Sequence, residues 1–472
     1  MLRYLTVDEM RAVEREAFAA GVSPILPMEL AARGLTEVLK ERCPGARVLF
    51  ACGAGNNGAD GLAAARLWHL QGGKSEALLV GSRFTEENLL QQKYLNYLGI
   101  PVITDPESVD SFGYGCVVDA LFGIGLTRSL SDPYPALIER INSAPMRISA
   151  DIPSGMDADT GRLRDTSVKA DVTVTFHAPK LGLALTPHPD RVGELVVWDV
   201  GFNPDSRGIP AYEEGDLDAL RYRRPKNAHK GSCGRVLIVG GDPGMCGAAA
   251  MCALGALKAG AGLVTVLCEK ESVPVLQALV PNAMCVPTDK WREALPAFDA
   301  AAVGCGMRPE ESRKEMLLTI LDKAPRYVID AGALDILKSS ALPHPERGVI
   351  TPHIGEAARL LDLSAGEIAM DPLSAAKALN EKTGAAAVLK SACTVIRDGD
   401  RTALNTVGTP ALAKGGSGDA LCGILSAALC VVPDRFEAAR LSCLRMGLAG
   451  IRGEALYGTD GLLTGEMLSC LL

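Results

Sequence analysis

Two short stretches carry residues able to do chemistry. In the C-terminal half, "GGSGDALCGI" (415–424) sets three glycines and a serine before one acid, Asp419, and an apolar helical pattern follows. Backbone N–H groups at a helix start have no intrahelical acceptor and carry partial positive charge, so they attract phosphate. Glycines let those amides approach an anion with no Cβ in the way. An acid beside such an anion hole would repel phosphate. Its natural use is to take a proton from a hydroxyl attacking the terminal phosphoryl group. The alternative is a Gly-rich turn with an N-capping Asp. In the N-terminal half, "CGAGNNGADG" (52–61) follows a strand and opens a helix but does not fit GxGxxG. Its amide carbonyls and carboxylate are hard oxygen donors, suited to K⁺, Na⁺ or Ca²⁺. Asp119 ends the apolar run "CVVDALFG" and Asp151 ends "ISADIPSG". Acids at strand carboxyl ends face the ligand crevice of a doubly wound sheet, although each alone also suits a turn or cap. With Asn57 they would form one polar pocket.

These residues need a scaffold of alternating strands and helices, and both halves supply one. "ARVLFAC" (46–52), "SEALLVG" (75–81), "CVVDALFG" (116–123) and "RISADIPSG" (147–155) are apolar strand patterns, the first three each followed by a helical pattern. "DVTVTFHA" and "GELVVWDVG" are expected to close that sheet. A second run starts at "GRVLIVGG" (234–241) and continues through "GLVTVLC", "DAAAVGCG", "RYVIDAGAL", "GVITPH" and "AAAVLKS". Strand, loop and helix in repetition predict parallel sheets with helices on both faces. Between the runs, "NPDSRGIPAYEEGD" and "RYRRPKNAHKGSCG" are polar and broken by Pro and Gly, which makes 203–232 the expected linker and puts a domain boundary near residue 215.

Composition excludes several function classes. The chain has 472 residues, 48% hydrophobic and 22% charged, enough for two or three globular domains. A net charge of −8 argues against nucleic acid or an anionic membrane as partner. Aromatics are only 4%, too few for a base-stacking platform. Fourteen cysteines contain no CxxC pair and read as small core residues of a reducing compartment, neither a disulfide frame nor a zinc site. The N-terminal "MLRYLTVDEMRAVEREAF" is an amphipathic helical pattern, not a signal peptide, and no apolar run approaches the ~20 residues of a membrane span. A cytoplasmic protein is expected.

Further segments carry a resemblance. "NAHKGSCGRVLIVGGDPGMCGAAAMCALGALKAGAG", "TPHIGEAARLL", "LKSACTVI" and "NTVGTPALAKGGSGDALCGIL" occur in this order. Together they resemble the ADP/ATP-dependent NAD(P)HX dehydratases of the ribokinase-like superfamily, over essentially the whole second half. The resemblance implies an αβα domain over 213–472 that restores NADH or NADPH from the 6-hydrated form, by phosphorylation of the ring hydroxyl and elimination. ADP is the donor expected in bacteria, giving AMP and phosphate; ATP is the alternative. By that resemblance Asp419 is the base at the substrate hydroxyl. His353 of "TPHIGE", Ala249 and Gly306 of "GCGM" lie against the hydrated nicotinamide. Lys390, Ser391, Ala392, Cys393, Thr394 and Gly418 line the nucleotide. Mg²⁺ is expected on the phosphates, with Glu356 a candidate ligand. Ile354 stands where the family usually has proline, and Ser391 where it has glycine.

The first half resembles the NAD(P)HX epimerases, or YjeF N-terminal domains, through "LTVDEMRAVEREAF", "PILPMELAARGL", "GAGNNGADG", "DALFGIGLTR" and "ADIPSGMDADTG". This implies a Rossmann-like three-layer αβα sandwich over 1–212. Asn56, Asn57, Gly58, Ala59 and Asp60, with Gly123, Ile124, Gly125, Leu126, Thr127, Arg128 and Ser129, would hold the hydrated dinucleotide. Asn57, Asp119 and Ser154 would coordinate K⁺. Asp151 would meet the nicotinamide end and is the expected proton shuttle. Ala59 replaces a glycine of the family's NNGGDG and is expected to tighten the pocket. The whole chain thus resembles the bifunctional NAD(P)H-hydrate repair enzymes, in which an epimerase supplies a stereospecific dehydratase. That family implies small-molecule substrates, NADHX or NADPHX with ADP or ATP, and a homo-oligomer of four or more chains. Two rivals remain at this point: a ribokinase-like kinase of a vitamin or sugar alcohol, and a non-catalytic YjeF-type binding module.

Overall fold

Aliphatic runs of four to six residues punctuated by Gly, Asn and Asp fold here as buried parallel strands with helices between them. The computed structural model describes every residue except 204–205, 218–223, 296 and 472. The chain divides into two compact units, Arg3–Ile209 and Pro210–Leu472 with Met1–Leu2.

In the first unit seven strands form one sheet, every pair parallel. Its order is Val102–Ile103, Lys74–Leu79, Arg47–Cys52, Cys116–Ala120, Arg147–Ala150, Val172–Phe176, Glu194–Trp198. Chain order reverses between Arg47–Cys52 and Cys116–Ala120, so a crevice opens at the carboxyl ends of these two strands. The helix Asn56–Leu70 starts at that crevice. Its first turn stays close to the strand it leaves because residue 58 is glycine: a Cβ there would meet Gly53 O at 1.9 Å. The Ile25–Arg42 helix packs on it, burying Leu35, Leu39, Leu62 and Phe50 completely.

The second unit repeats the arrangement with one difference. The strands Gly348–Ile350, Tyr327–Ile329, Ala300–Val303, Arg235–Val239, Leu263–Cys268 and Met284–Pro287 are parallel neighbours in that order, and Ala386–Leu389 continues the parallel set. Order reverses between Arg235–Val239 and Ala300–Val303. Beyond Ala386–Leu389 the sheet turns antiparallel through the hairpin Thr394–Asp398 and Arg401–Asn405. An all-parallel sheet was expected; the "DGD" turn with Gly399 at φ +57° makes the reversal. Helices Cys246–Ala259 and Ser417–Val431 pack against each other with their backbones in close approach at Gly255 and Gly423.

The expected linker is partly core. Pro210–Ala211 joins the second unit's sheet, with Ala211 opposite Leu404. Tyr212 and Leu217 are buried against Leu441, Leu444 and Leu448 of the helix Arg435–Tyr457. Arg440 stacks over the Tyr212 ring at 3.4 Å. The polar stretch 203–216 hid the Tyr212 anchor, and the units divide between Ile209 and Pro210, a few residues before 212–213. Positions 204–205 and 218–223 of that linker lie outside the described residues.

Candidate active sites

In the first unit, a cavity of about 980 Å³ opens at the crevice. Asn56, Asn57, Asp60, Gly123, Ile124, Gly125, Leu126, Arg128 and Asp151 line it; Gly58, Ala59, Thr127 and Ser129 do not. Ala59 is fully buried in the core beneath the helix. Its methyl therefore does not tighten the pocket as expected.

Asp119 is fully buried at its strand end, where Ser149 Oγ and Ser154 N each donate to Oδ2 at 2.8 Å. Burial raises its pKa, and those hydrogen bonds work against the rise. Ser154 Oγ accepts from Phe122 N at 2.9 Å. Asn57 donates through Nδ2 to Phe122 O at 2.8 Å and Ala150 O at 3.2 Å, which leaves Oδ1 buried with no partner. A buried orphan acceptor is costly unless something positive meets it. Orphaned Asn57 Oδ1, a buried carboxylate and a serine hydroxyl held to one backbone segment are oxygen donors that fit a large monovalent cation.

Asp151 adopts φ +66°, rare for a residue with a Cβ. It is held by a buried ion pair with Lys180, whose Nζ also donates to Phe176 O at 3.0 Å. Asp151 Oδ1 also accepts from Thr175 Oγ1 at 3.2 Å. Glu14 and Asp60 share the cavity wall, and burial drives both carboxyls upward, reinforced by the charge of Asp151. Lys180 and Glu14 were not anticipated. Lys180 sits in "TFHAPKLG", four residues past the end of a buried strand, and a lone lysine in an apolar run was the available signal.

In the second unit, Gly416 at φ +93° starts the helix Ser417–Val431 and Asp419 sits in its first turn. Burial first, then the nearby Asp330 charge, push the Asp419 carboxyl up to about 6. Asp330 is buried at the end of the strand Tyr327–Ile329. Its Oδ1 accepts from Thr351 Oγ1 at 2.9 Å and Lys390 Nζ at 2.8 Å. Its Oδ2 faces Gly418, where a Cβ would lie 3.8 Å away and 3.2 Å from Lys390 Nζ. Burial works to lower the Lys390 pKa, and the charges of Asp330 and Glu356 outweigh it. Lys390, Gly418, Asp330 and Asp419 thus converge. Asp330 was missed, although the rule that picked out Asp119 and Asp151 also applies to "RYVIDAG".

The other expected residues separate into near and far. Lys390 N donates to Pro352 O at 2.9 Å, so the "TPHIGE" and "LKSACT" loops lie side by side. His353 caps the helix Ile354–Leu361, its Nδ1 accepting from Gly355 N at 3.0 Å while the ring stays exposed. Glu356 completes that cap by accepting from His353 N at 2.8 Å, so one of its oxygens is committed to the fold. Ser391 Oγ donates to Cys393 O at 2.5 Å, Cys393 is buried, and Thr394 begins the hairpin. Gly306 at φ +66° approaches Met245 O so closely that a Cβ would lie 2.4 Å from it. Ala249 is fully buried and offers no side-chain surface to a ligand.

No helix among the described residues is long and apolar enough to cross a membrane. Residues 236–471 match the family model described as NAD(P)H-hydrate dehydratase, and 26–182 match that of the YjeF-related protein N-terminus. The bifunctional NAD(P)H-hydrate repair enzyme Nnr of Coxiella burnetii is 35% identical over 475 residues, covering 97% of this chain and 96% of its own. The Escherichia coli enzyme of the same name is 36% identical over 481 residues, covering 98% and 92%. Among solved structures, the ADP/ATP-dependent NAD(P)H-hydrate dehydratase of Bacillus subtilis, co-crystallised with ATP and Mg²⁺, is 28% identical with a TM-score of 0.51, covering 56% of this chain and 96% of that one. A ribokinase-like superfamily protein from Enterococcus faecalis is 27% identical with the same score of 0.51, covering 57% and 96%. Matched at both halves and along nearly its full length, the chain belongs to the family of bifunctional NAD(P)H-hydrate repair enzymes.

Proposed function

We propose that the unit Pro210–Leu472 dehydrates (6S)-NAD(P)HX with ADP as phosphoryl donor, and that Arg3–Ile209 interconverts the R and S hydrates. The observation that carries the reading is Asp419: a half-buried carboxyl pushed up to about 6, at a helix start beside Gly418 and Lys390. A base with that pKa is ionised at neutral pH yet holds a proton well enough to accept one in the transition state. Asp419 takes the proton of the C6 hydroxyl as its oxygen attacks the terminal phosphoryl group. The C6–O bond then breaks with loss of the ring phosphate, C5 gives up a proton to the departing phosphate, and the C5–C6 double bond forms, giving NAD(P)H, AMP and phosphate. Lys390 offsets charge on the transferring group, and the amides at Ser417–Asp419 orient it. His353 and Gly306 bound the nicotinamide side, with Ala249 buried behind it; Ser391, Ala392, Cys393 and Thr394 bound the nucleotide. Mg²⁺ needs only one or two carboxylates in addition to phosphates, and Asp330 Oδ2 is the available oxygen. It would supply charge neutralisation.

In the first unit, Asn57, Asp119 and Ser154 would hold K⁺, which supplies positive charge to the buried Asp119. Asp60 and the 123–129 loop receive the dinucleotide, and Asp151, held by Lys180, exchanges the proton. The family's assembly and localisation apply as expectations: a homo-oligomer in the cytoplasm.

The test mixes the full chain with R,S-NADHX, Mg²⁺ and ADP, ATP or neither, and follows NADH absorbance. Recovery of both epimers with one nucleotide is expected and identifies the donor. Asp419→Asn should abolish recovery while epimer exchange persists. Nucleotide consumed without NADH would overturn the dehydratase reading.

A further inference from the structure

Three cysteines remote in sequence meet behind Asp419. Cys252 lies on the helix Cys246–Ala259, Cys305 follows the strand Ala300–Val303, and Cys422 is on the Asp419 helix. All three are fully shielded from solvent, and their Sγ atoms lie within 4.8 Å of one another. Cys305 Sγ lies within the same distance of carboxylate oxygens of Asp419 and Asp330. The frame is rigid. A Cβ on Gly423 would meet Cys252 O at 1.9 Å and one on Gly255 would meet Ala420 O at 2.5 Å, so glycine at both positions lets the helices bring their cysteines this close.

Close packing alone explains small residues on these helices, but not three sulfurs at one point. Ala249, Ala250, Ala253 and Ala256 do the packing on the first helix. In a tetrahedral thiolate site with metal–sulfur bonds of ~2.3 Å, sulfurs lie ~3.8 Å apart. The three thiols need only small movements to reach that spacing, and Asp419, within that reach of Cys305 Sγ but not of the other two sulfurs, must swing inward to close the cleft side. Soft thiolates select thiophilic cations, and Mg²⁺ keeps to oxygen.

We propose that Cys252, Cys305 and Cys422, with the Asp419 carboxylate as fourth ligand, form a binding site for a thiophilic d¹⁰ divalent cation such as Zn²⁺ or Cd²⁺, and that occupancy blocks the dehydratase. The blocking half of this statement rests on Asp419 being the base; the binding half does not. Three R–SH and M²⁺ give M(SR)₃⁻ and three H⁺, and Asp419 contributes a lone pair. No electron is transferred. Lys390 Nζ, 2.8 Å from Asp330 Oδ1, offsets part of the remaining negative charge.

Cd²⁺ is titrated into the reduced full-length protein while the ultraviolet cadmium–thiolate charge-transfer band is followed. One tight equivalent per chain is expected. Cys422→Ala and Cys252→Ala should each bind about 100-fold more weakly, at least the upper end of what outer-shell changes cost. Dehydration should fall in step with occupancy while epimer exchange continues, and Cys422→Ala should dehydrate without cadmium sensitivity. If either alanine variant does not fold, the serine variant at that position replaces it. Unchanged binding in both variants would overturn the site, because the metal would then sit on other cysteines. Full dehydration at full occupancy would overturn the Asp419 ligand. A protein that binds Cd²⁺ through these sulfurs but never dehydrates NADHX would leave the metal site standing and remove the reading of Asp419 as base.

Discussion

The two units solve the same geometric problem and differ in which strand-end acid is paired. Both present acids at the carboxyl ends of central parallel strands, and both start a helix at the point where strand order reverses. In the first unit the acids are answered: Asp151 by Lys180, and Asp119 by three hydrogen-bond donors. At the crevice Asn57 Oδ1 is a buried acceptor without a partner, and Glu14 and Asp60 on the cavity wall are acids raised by burial. In the second unit the cation Lys390 pairs with Asp330, and Asp419 is left as the carboxyl whose proton affinity burial has raised. A positioned acid–lysine pair suits a reaction that returns its proton to the same substrate. A raised base beside an anion hole, with no lysine paired to it, suits transfer of a hydroxyl proton during phosphoryl transfer.

The largest effects come from breaking each acid in turn. Asp419→Asn should lower dehydration ~10²–10⁴-fold, the usual contribution of a general base, without affecting epimer exchange. Asp151→Asn should do the reverse, with a second consequence. It leaves Lys180, almost fully buried, without its partner, and breaking a buried pair costs ~3–5 kcal/mol. Thermal melting should therefore report a loss for Asp151→Asn that Asp151→Asn/Lys180→Met recovers, while epimer exchange by chromatography stays abolished in both. Recovery of exchange in the double variant would mean that Asp151 serves only the fold.

This asymmetry also explains what the sequence made legible. Strand–helix alternation, both Gly-rich turns and the three acids Asp119, Asp151 and Asp419 were readable because each sits at a local signal, a strand end or a helix start. Asp330 carries a similar signal and Lys180 a weaker one, but both work only through partners distant in the chain: Lys180 through Asp151, Asp330 through Lys390 and Thr351; Glu14, in the middle of the helix Val7–Ala19, carries none. Pairings at such separations leave no local trace. The burial of Tyr212 was hidden in the same way, since its partners Arg440 and Glu437 lie on a helix more than 200 residues later. The cysteine cluster has no spacing rule at all, because it draws on two helices and a loop.

Two intermediate tests sharpen the comparison without mutation. Replacing K⁺ with Li⁺ at constant ionic strength should slow epimer exchange, because the smaller ion cannot satisfy Asn57 Oδ1 and Asp119 together, and should leave dehydration unaffected. Dehydration should instead fall about tenfold per pH unit below the Asp419 pKa of about 6, as the base gains its proton, and epimer exchange should not track that titration. The same raised pKa has a sign for stability. The folded state holds this proton more tightly than the unfolded chain, from the ordinary 3.8 up to about 6. That contribution is present below about pH 4 and is lost as pH rises through about 6. Asp419→Asn should therefore raise Tm relative to the native protein at about pH 8 and change it little at about pH 4.

The smallest effect concerns Ala59, where the first unit departs from NNGGDG. If the methyl reached the dinucleotide, Ala59→Gly would lower KM for NAD(P)HX in epimer exchange. The methyl instead faces the core, fully buried, in the first turn of Asn56–Leu70. Removing it inside a helix costs ~0.5–1 kcal/mol in backbone entropy and some apolar contact, and touches no pocket surface. Ala59→Gly should thus lower Tm slightly with KM unchanged, whereas Gly58→Ala, one residue away, should disrupt the turn because its Cβ would meet Gly53 O at 1.9 Å. Adjacent small residues in one motif then answer to different constraints, one to close backbone approach and the other to core volume.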